Sequence, residues 1–137
     1  MISTVAVGTD GSPTAAEAVR VAAEMAKRFG SELVLLSAFQ DSVPPSEPDE
    51  VQWAWSSSAR TREILARAEE DLKRDGIMCK LLVDQGDPAE VLVRLATECG
   101  ADVLVIGNRG MGRRMLGSVP NTVSHKAPCS VFVVKTT

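Results

Sequence analysis

Short apolar runs alternate with longer stretches of helical periodicity along the whole chain, and this alternation restricts the fold more than any other feature. The apolar runs predict five strands, at Thr4–Gly8, Leu33–Phe39, Met78–Val83, Asp102–Ile106 and Ser130–Lys135. Helical patterns fill the four intervals between them, at 13–29, up to about 75, from 88 to 99 and at 118–126. Because parallel strands need crossover connections, this order predicts an α/β fold: an open, doubly wound five-stranded parallel sheet with helices on both faces.

Residues with well-understood end effects mark the first and third helices. Ser12 is placed to cap the first helix ahead of Pro13, and Gly30 is placed to end it. Asp87 followed by Pro88 opens the third helix in the same way. The apolar spacing predicts these inward residues: Ala16, Val19, Ala23 and Ala26 in the first helix, Ile64, Leu65, Ala68 and Leu72 in the second, and Val91, Leu92, Leu95 and Ala96 in the third.

Length, charge and cysteine spacing restrict the functional class. The 137 residues fit one domain, and the formal net charge of −3 offers no basic surface for nucleic acid. No apolar run approaches the roughly 20 residues of a membrane helix, and the first residues lack the features of a signal peptide. The odd number and wide spacing of Cys79, Cys99 and Cys129 favour reduced thiols over a zinc or disulfide site. We therefore expect a single-domain cytoplasmic protein with no nucleic-acid or membrane partner.

Two polar loops, TDGS after the first strand and GNRGMGRRMLGS after the fourth, are expected to lie together. If the first strand is central, strand order reverses between strands one and four, which is where open α/β sheets bind ligands. Glycines let backbone N–H groups converge on an anion, and Gly117-Ser118 opens a helix whose N-terminus favours negative charge. The glycines are Gly107, Gly110 and Gly112, and the nearby arginines are Arg109, Arg113 and Arg114. Together these features favour a phosphate site over a solvated glycine-rich connection.

Several single residues have more than one interpretation. Asp10 could bond a sugar hydroxyl or a base, help to hold a divalent ion, or serve only as a turn residue in TDGS. Trp53 and Trp55 could fold over a nucleotide, form a subunit contact or anchor the long stretch locally. The only histidine, His125, has no Ser or Asp partner at a catalytic spacing, which favours a surface or helix-end role.

Four segments carry a close resemblance to the universal stress protein family: VAVGTDGSPTAAEAV, GDPAEVLVRLA, ADVLVIGNRGMG and LGSVPNTVSHKAPCSVFVV. The resemblance spans nearly the whole chain outside residues 40–60. It implies strand order 3-2-1-4-5, a homodimer formed through the last strand (Ser130–Lys135) and, in the ATP-binding branch, an adenine-nucleotide site with Mg²⁺ or Mn²⁺ as phosphate counter-ion. The implied nucleotide-binding residues are Thr9, Asp10, Ser12, Ala38, Gly107, Arg109, Gly110, Gly117, Ser118 and Val119.

Within that set the resemblance implies separate roles. Asp10 would contact the ribose or adenine, Ala38 would meet the adenine through its backbone, and Gly107 would lie against the ribose. The phosphates would be held by Gly110, Gly117, Ser118 and Val119. One departure from the family pattern matters, because only six residues separate Gly110 from Gly117 where the ATP-binding branch has nine. The adenosine half of the site is thereby retained and the phosphate half is shortened.

The first hypothesis is therefore a regulatory protein that binds an adenine nucleotide, ATP ahead of cyclic AMP. A nucleotide-free interaction module of the same fold is the alternative that the shortened loop favours. An enzyme is disfavoured beyond slow ATP hydrolysis, because the chain lacks a P-loop lysine, an acidic pair for two metals and a base to orient water. A dinucleotide or flavin domain is disfavoured because no GxGxxG follows the first strand.

Overall fold

A computed structural model describes residues 1–40, 57–108 and 117–135. In these residues strands and helices alternate as β1 (Thr4–Gly8), α1 (Pro13–Phe29), β2 (Glu32–Phe39), α2 (Ser58–Arg74), β3 (Lys80–Gln85), α3 (Pro88–Glu98), β4 (Val103–Asn108), α4 (Ser118–Lys126) and β5 (Ser130–Lys135). All strand pairs are parallel, and the sheet order is β3-β2-β1-β4-β5. The predicted fold class and strand order are confirmed.

The two faces of the sheet carry different pairs of helices. Alternate residues of β1 point to opposite sides, so Val5 and Val7 pack with α1 and α2 whereas Ala6 packs with α3 and α4. Both faces are covered, which explains why β1, β2 and β4 read as continuous apolar runs in the sequence. β1 lies at the centre of the sheet, between β2 and β4, and its C-terminal end leads into the TDGS turn.

Three predicted strands have boundaries that are wrong by one or two residues. The second begins at Glu32 rather than Leu33, the third ends at Gln85 rather than Val83, and the fourth begins at Val103 rather than Asp102. The third strand begins at Lys80 rather than Met78, because the end of α2 still holds the chain at Ile77, whose N–H donates to the Leu72 carbonyl at 2.9 Å. The fourth strand runs on to Asn108 because it keeps pairing with β5 as far as Lys135. This extension brings Asn108 to the edge of the sheet where the predicted site lies.

The helix caps agree with the sequence, but three predicted inward positions are not fully buried. Ser12 Oγ accepts the Ala15 N–H and Asp87 Oδ2 accepts the Glu90 N–H, both at 3.2 Å, so the predicted caps of α1 and α3 are present. Ala16 was predicted inward and is exposed, because the buried stripe of α1 instead follows Ala15, Ala18, Val19, Ala22, Ala23 and Ala26. Ile64 and Ala68 are only partly buried: Ile64 packs on Gly11, and Ala68 packs against the margin of the core.

Thr61, in the first turn of α2, is 1% exposed. Among the buried side-chain N and O atoms of the described residues, only its hydroxyl oxygen lacks a hydrogen-bond partner. Burial of an unpaired hydroxyl costs about 1–3 kcal/mol. We therefore expect Thr61→Val, which keeps the shape and removes the hydroxyl, to raise the free energy of unfolding by about 1 kcal/mol in urea denaturation. Thr61→Ser is the matched control, because it keeps the hydroxyl and loses the methyl group. A stability order other than Val, Thr, Ser would contradict the expectation.

Candidate functional site

The candidate site lies at the C-terminal edge of the sheet, between the adjacent strands β1 and β4. The chain leaves β1 toward β2 on one side, and β4 leads to β5 on the other, so strand order reverses between them. This is the position at which open α/β sheets bind ligands. The topology therefore brings the TDGS turn and the start of α4 to the same edge, as the sequence predicted.

Hydrogen bonds within the TDGS turn and to the neighbouring strand β2 hold the turn in place. Thr9 Oγ1 accepts the Gly11 N–H at 3.2 Å, and Asp10 Oδ1 accepts the Ser12 N–H at 2.9 Å. Ser37 Oγ of β2 donates to the Thr9 carbonyl at 2.6 Å, which anchors the turn to the sheet. Asp10 thus has the turn role that the sequence left open, and the residue is buried at the edge of the sheet, with 7% of its surface exposed.

The last residue pair between β1 and β2 is Gly8 with Leu36. Ala38 lies two residues further along β2, beyond the end of β1. Successive residues of a strand direct their backbone groups to alternate neighbours, and the Leu36 carbonyl accepts the Thr9 N–H. The N–H and C=O of Ala38 therefore point to the same side as those of Leu36, past the end of β1. Here a planar ring with a donor and an acceptor could bond to the backbone.

Gly107 touches the first turn of α1. A Cβ placed on Gly107 would lie 2.8 Å from both the carbonyl oxygen and Cγ2 of Thr14. Glycine is therefore required for close packing of β4 on α1, a reason that the sequence did not reveal. This contact also fixes the distance between the end of β4 and the TDGS turn that precedes α1.

The N-terminus of α4 has an unusual cap. Gly117 occupies the cap position with no side-chain cap hydrogen bond, and its own N–H donates to Asn108 Oδ1 at 2.9 Å. The first N–H groups of a helix have no intrahelical acceptor, and Pro120 has no N–H to offer. Ser118 and Val119 consequently supply the N–H groups at this helix end, with Ser118 exposed and Val119 buried. Sequence reasoning missed Asn108, whose role depends on a contact across the loop.

The other residues singled out in the sequence lie partly outside and partly within the described residues. Arg109 and Gly110 lie outside the described residues, as do Gly112, Arg113, Arg114, Trp53 and Trp55. His125 is exposed in the last turn of α4, in agreement with a helix-end role. Cys79, Cys99 and Cys129 are free thiols that are partly buried, and burial raises the pKa of each.

Among residues 1–40, 57–108 and 117–135, no group of three or more His, Cys, Asp or Glu side chains is arranged to hold a metal ion. In the same ranges no helix is long and apolar enough to cross a membrane.

The five-stranded parallel sheet, with a polar turn and a helix N-terminus meeting at the point of strand reversal, defines a doubly wound α/β domain with a switch-point site. The chain belongs to the universal stress protein family, whose model matches residues 1–135. Universal stress protein Rv1636 of Mycobacterium tuberculosis is 36% identical over 144 residues, covering 98% of this chain and 97% of the relative. A universal stress protein of Thermus aquaticus is 32% identical, covering 98% and 100%.

Solved structures give the same likeness. A universal stress protein crystallised in complex with cAMP is 31% identical, with a TM-score of 0.75, covering 99% of this chain and 98% of that chain. A universal stress protein from Archaeoglobus fulgidus is 26% identical with a TM-score of 0.75, covering 98% and 95%. The likeness therefore extends over the full length of the described fold.

Proposed function

We propose that this chain binds an adenine nucleotide, ATP first, as a single regulatory domain of the stress response that acts in the cytoplasm as a homodimer. One observation carries the proposal: the Ala38 backbone, the Asp10 carboxylate and the N-terminus of α4 lie on one edge of the sheet. The Ala38 backbone suits the adenine, the Asp10 carboxylate suits the ribose, and the N-terminus of α4 suits the phosphate of a nucleotide. The related structure in complex with cAMP supports adenine as the base.

The adenosine half is the more complete half of the proposed site. The N–H and C=O of Ala38 suit the donor and acceptor on the Watson–Crick edge of adenine, and Asp10 suits a ribose hydroxyl. Thr9 and Ser12 hold the turn in which Asp10 stands, through their bonds to Gly11 and Ala15. Asp10 is placed by these neighbours before any ligand arrives, so little ordering accompanies binding.

The phosphate half depends on α4. Ser118 and Val119 present backbone N–H groups at the positive end of the helix dipole, which favours an anion. Gly110 and Arg109 complete this half by family resemblance, with Mg²⁺ or Mn²⁺ as counter-ion. Because the spacer of six residues leaves less room than nine, cyclic AMP is the alternative ligand, and its presence in a relative that is 31% identical favours it.

The proposed homodimer uses β5, which is an edge strand of the sheet. Phe132 is 47% exposed on this strand, and Val131 and Val133 are partly exposed. Exposed apolar side chains beside an unpaired strand edge are typical of surfaces that pair with another chain. A nucleotide-free interaction module would use the same surface, so ligand binding decides between the two functions.

Calorimetric titration with adenosine, AMP, ATP and cyclic AMP, each with and without Mg²⁺, tests the proposal. We expect ATP to bind more tightly than adenosine, because adenosine has no phosphate to reach the N–H groups of α4. In Gly117→Val the ATP affinity is expected to fall at least about tenfold, since a side chain then stands where the phosphate approaches the helix, whereas adenosine binding persists. The φ of −65° at Gly117 accommodates valine, so the variant is expected to fold.

The controls follow from the same titrations. Circular dichroism and thermal unfolding establish that Gly117→Val is folded. The absence of heat with every nucleotide would reject the nucleotide site and favour the interaction module. Unchanged ATP affinity in folded Gly117→Val would exclude the N-terminus of α4 as the phosphate site. Formation of ADP in single-turnover incubation would add ATP hydrolysis to the function.

A further inference from the structure

The side chain of Asn108 bridges the two ends of the segment that joins β4 to α4. Asn108 is the last residue of β4, and its Oδ1 accepts the Gly117 N–H at 2.9 Å from nine residues away in the sequence. The bond is partly buried. It connects the edge of the sheet directly to the residue before α4, without depending on the residues between.

This bond leaves the phosphate-facing N–H groups of α4 available. In α1 and α3 the cap residues, Ser12 and Asp87, use their own side chains to accept an N–H of the first turn. Gly117 has no side chain to do so at α4. Asn108 instead accepts the N–H of Gly117, the cap residue itself, so it does not compete with a ligand for the N–H groups of Ser118 and Val119.

The bond also fixes how those groups are oriented. The peptide unit that contains the Gly117 N–H precedes the peptide units of Ser118 and Val119, and β4 is held in register with β1 and β5. A ligand whose base lies at Ala38 in β2 therefore meets α4 at a set distance and angle. Rigid placement of the donors before binding avoids an ordering cost when the ligand arrives.

We propose that Asn108 is a positioning residue for the phosphate half of the site, and that its neutral amide oxygen holds α4 in place for a nucleotide phosphate. The inference rests on the proposed function. Aspartate could accept the same bond from Gly117 but would set a negative charge beside the phosphate. Asparagine supplies the acceptor without that repulsion, which gives a physical reason for this residue type at the end of β4.

Two substitutions separate the acceptor from the charge. Asn108→Ala removes the bond to Gly117, and we expect AMP and ATP affinities to fall about tenfold while adenosine affinity stays within about twofold. Asn108→Asp keeps the acceptor, and we expect a loss that grows from AMP to ATP and shrinks as salt is added, again with adenosine unaffected. Asn121→Ala is the matched control, because the Asn121 side chain is exposed on α4. The substitution keeps the backbone bond from the Asn121 N–H to the Gly117 carbonyl and does not touch Asn108.

Calorimetry on the full chain, with thermal unfolding of each variant, distinguishes the outcomes. If Asn108→Ala weakens adenosine and ATP equally, the residue supports the fold in general and the positioning role is overturned. The role is also overturned if ATP affinity is unchanged, or if Asn121→Ala has the same effect. If wild-type protein binds no nucleotide, the proposed function itself fails. If Asn108→Ala does not fold, Asn108→Asp provides the test. A nucleotide affinity of Asn108→Asp that does not fall further from AMP to ATP, or does not recover with added salt, would overturn the positioning role.

Discussion

Gly107→Ala is expected to lower the free energy of unfolding by about 3 kcal/mol and to weaken nucleotide binding as well. The added Cβ would lie 2.8 Å from the Thr14 carbonyl oxygen and 3.2 Å from the Thr14 carbonyl carbon. These atoms belong to the backbone of α1, so no side-chain rotation relieves the overlap. The end of β4 or the start of α1 must move, and the TDGS turn moves with α1. Urea denaturation measures the loss of stability, and calorimetry with adenosine measures the effect on the site.

Gly30→Ala is the matched control for the effect of a methyl group on a glycine. Gly30 ends α1 with a φ of 68°, and a Cβ there would meet nothing within 4 Å. Its substitution is expected to cost only about 1 kcal/mol, from the left-handed backbone alone. Gly107 is absent from the glycines of positive φ among the described residues, so its cost is purely steric.

A second variant locates the steric overlap. A Cβ on Gly107 would also lie 2.8 Å from Thr14 Cγ2. Thr14→Ser removes that methyl group and leaves the carbonyl oxygen in place. In combination with Gly107→Ala it is therefore expected to restore only part of the lost stability. Full recovery would assign the overlap to the methyl group, and no loss in Gly107→Ala alone would contradict the close approach.

The parts of this fold that could be predicted are those decided by local physics. Ser12 and Asp87 cap their helices through bonds that span three residues, so the cap is written in the adjacent sequence. Continuous apolar runs identified β1, β2 and β4 because burial on both faces requires them. Strand order followed from the family resemblance, and with it the edge of the sheet where the site lies.

The parts that could not be predicted depend on contacts between distant residues. Ala16 and Ala15 are chemically the same, so only the packing of α1 on the sheet decides which is buried. Nothing near Gly107 in the sequence indicates that Thr14, more than ninety residues earlier, leaves no room for a side chain. Likewise the bond from Asn108 to Gly117 needs the return of the chain after β4 to be known.

Substitutions at Asp10 are expected to separate its turn role from its proposed ligand role. Asp10→Ala removes the acceptor of the Ser12 N–H, so both stability and nucleotide affinity are expected to fall. Asp10→Asn keeps that acceptor through Oδ1 and replaces the second carboxylate oxygen by an amide that donates. Loss of an acceptor for a ribose hydroxyl is worth about 1.5–3 kcal/mol when the acceptor is charged, so we expect adenosine and ATP affinities to fall about 10- to 100-fold in a variant of near wild-type stability.

Removing the ribose hydroxyl from the ligand in parallel completes a double-mutant cycle with Asp10→Asn. If Asp10 bonds the ribose 2′-hydroxyl, 2′-deoxyadenosine binds wild-type protein as weakly as adenosine binds Asp10→Asn. Removing both partners then costs little more than removing one, because the same bond is lost in each case. Additive losses would show that Asp10 contacts another part of the nucleotide, such as the base. Equal affinities of wild type and Asp10→Asn for every ligand would leave Asp10 with its turn role alone, holding the Ser12 N–H at the start of α1.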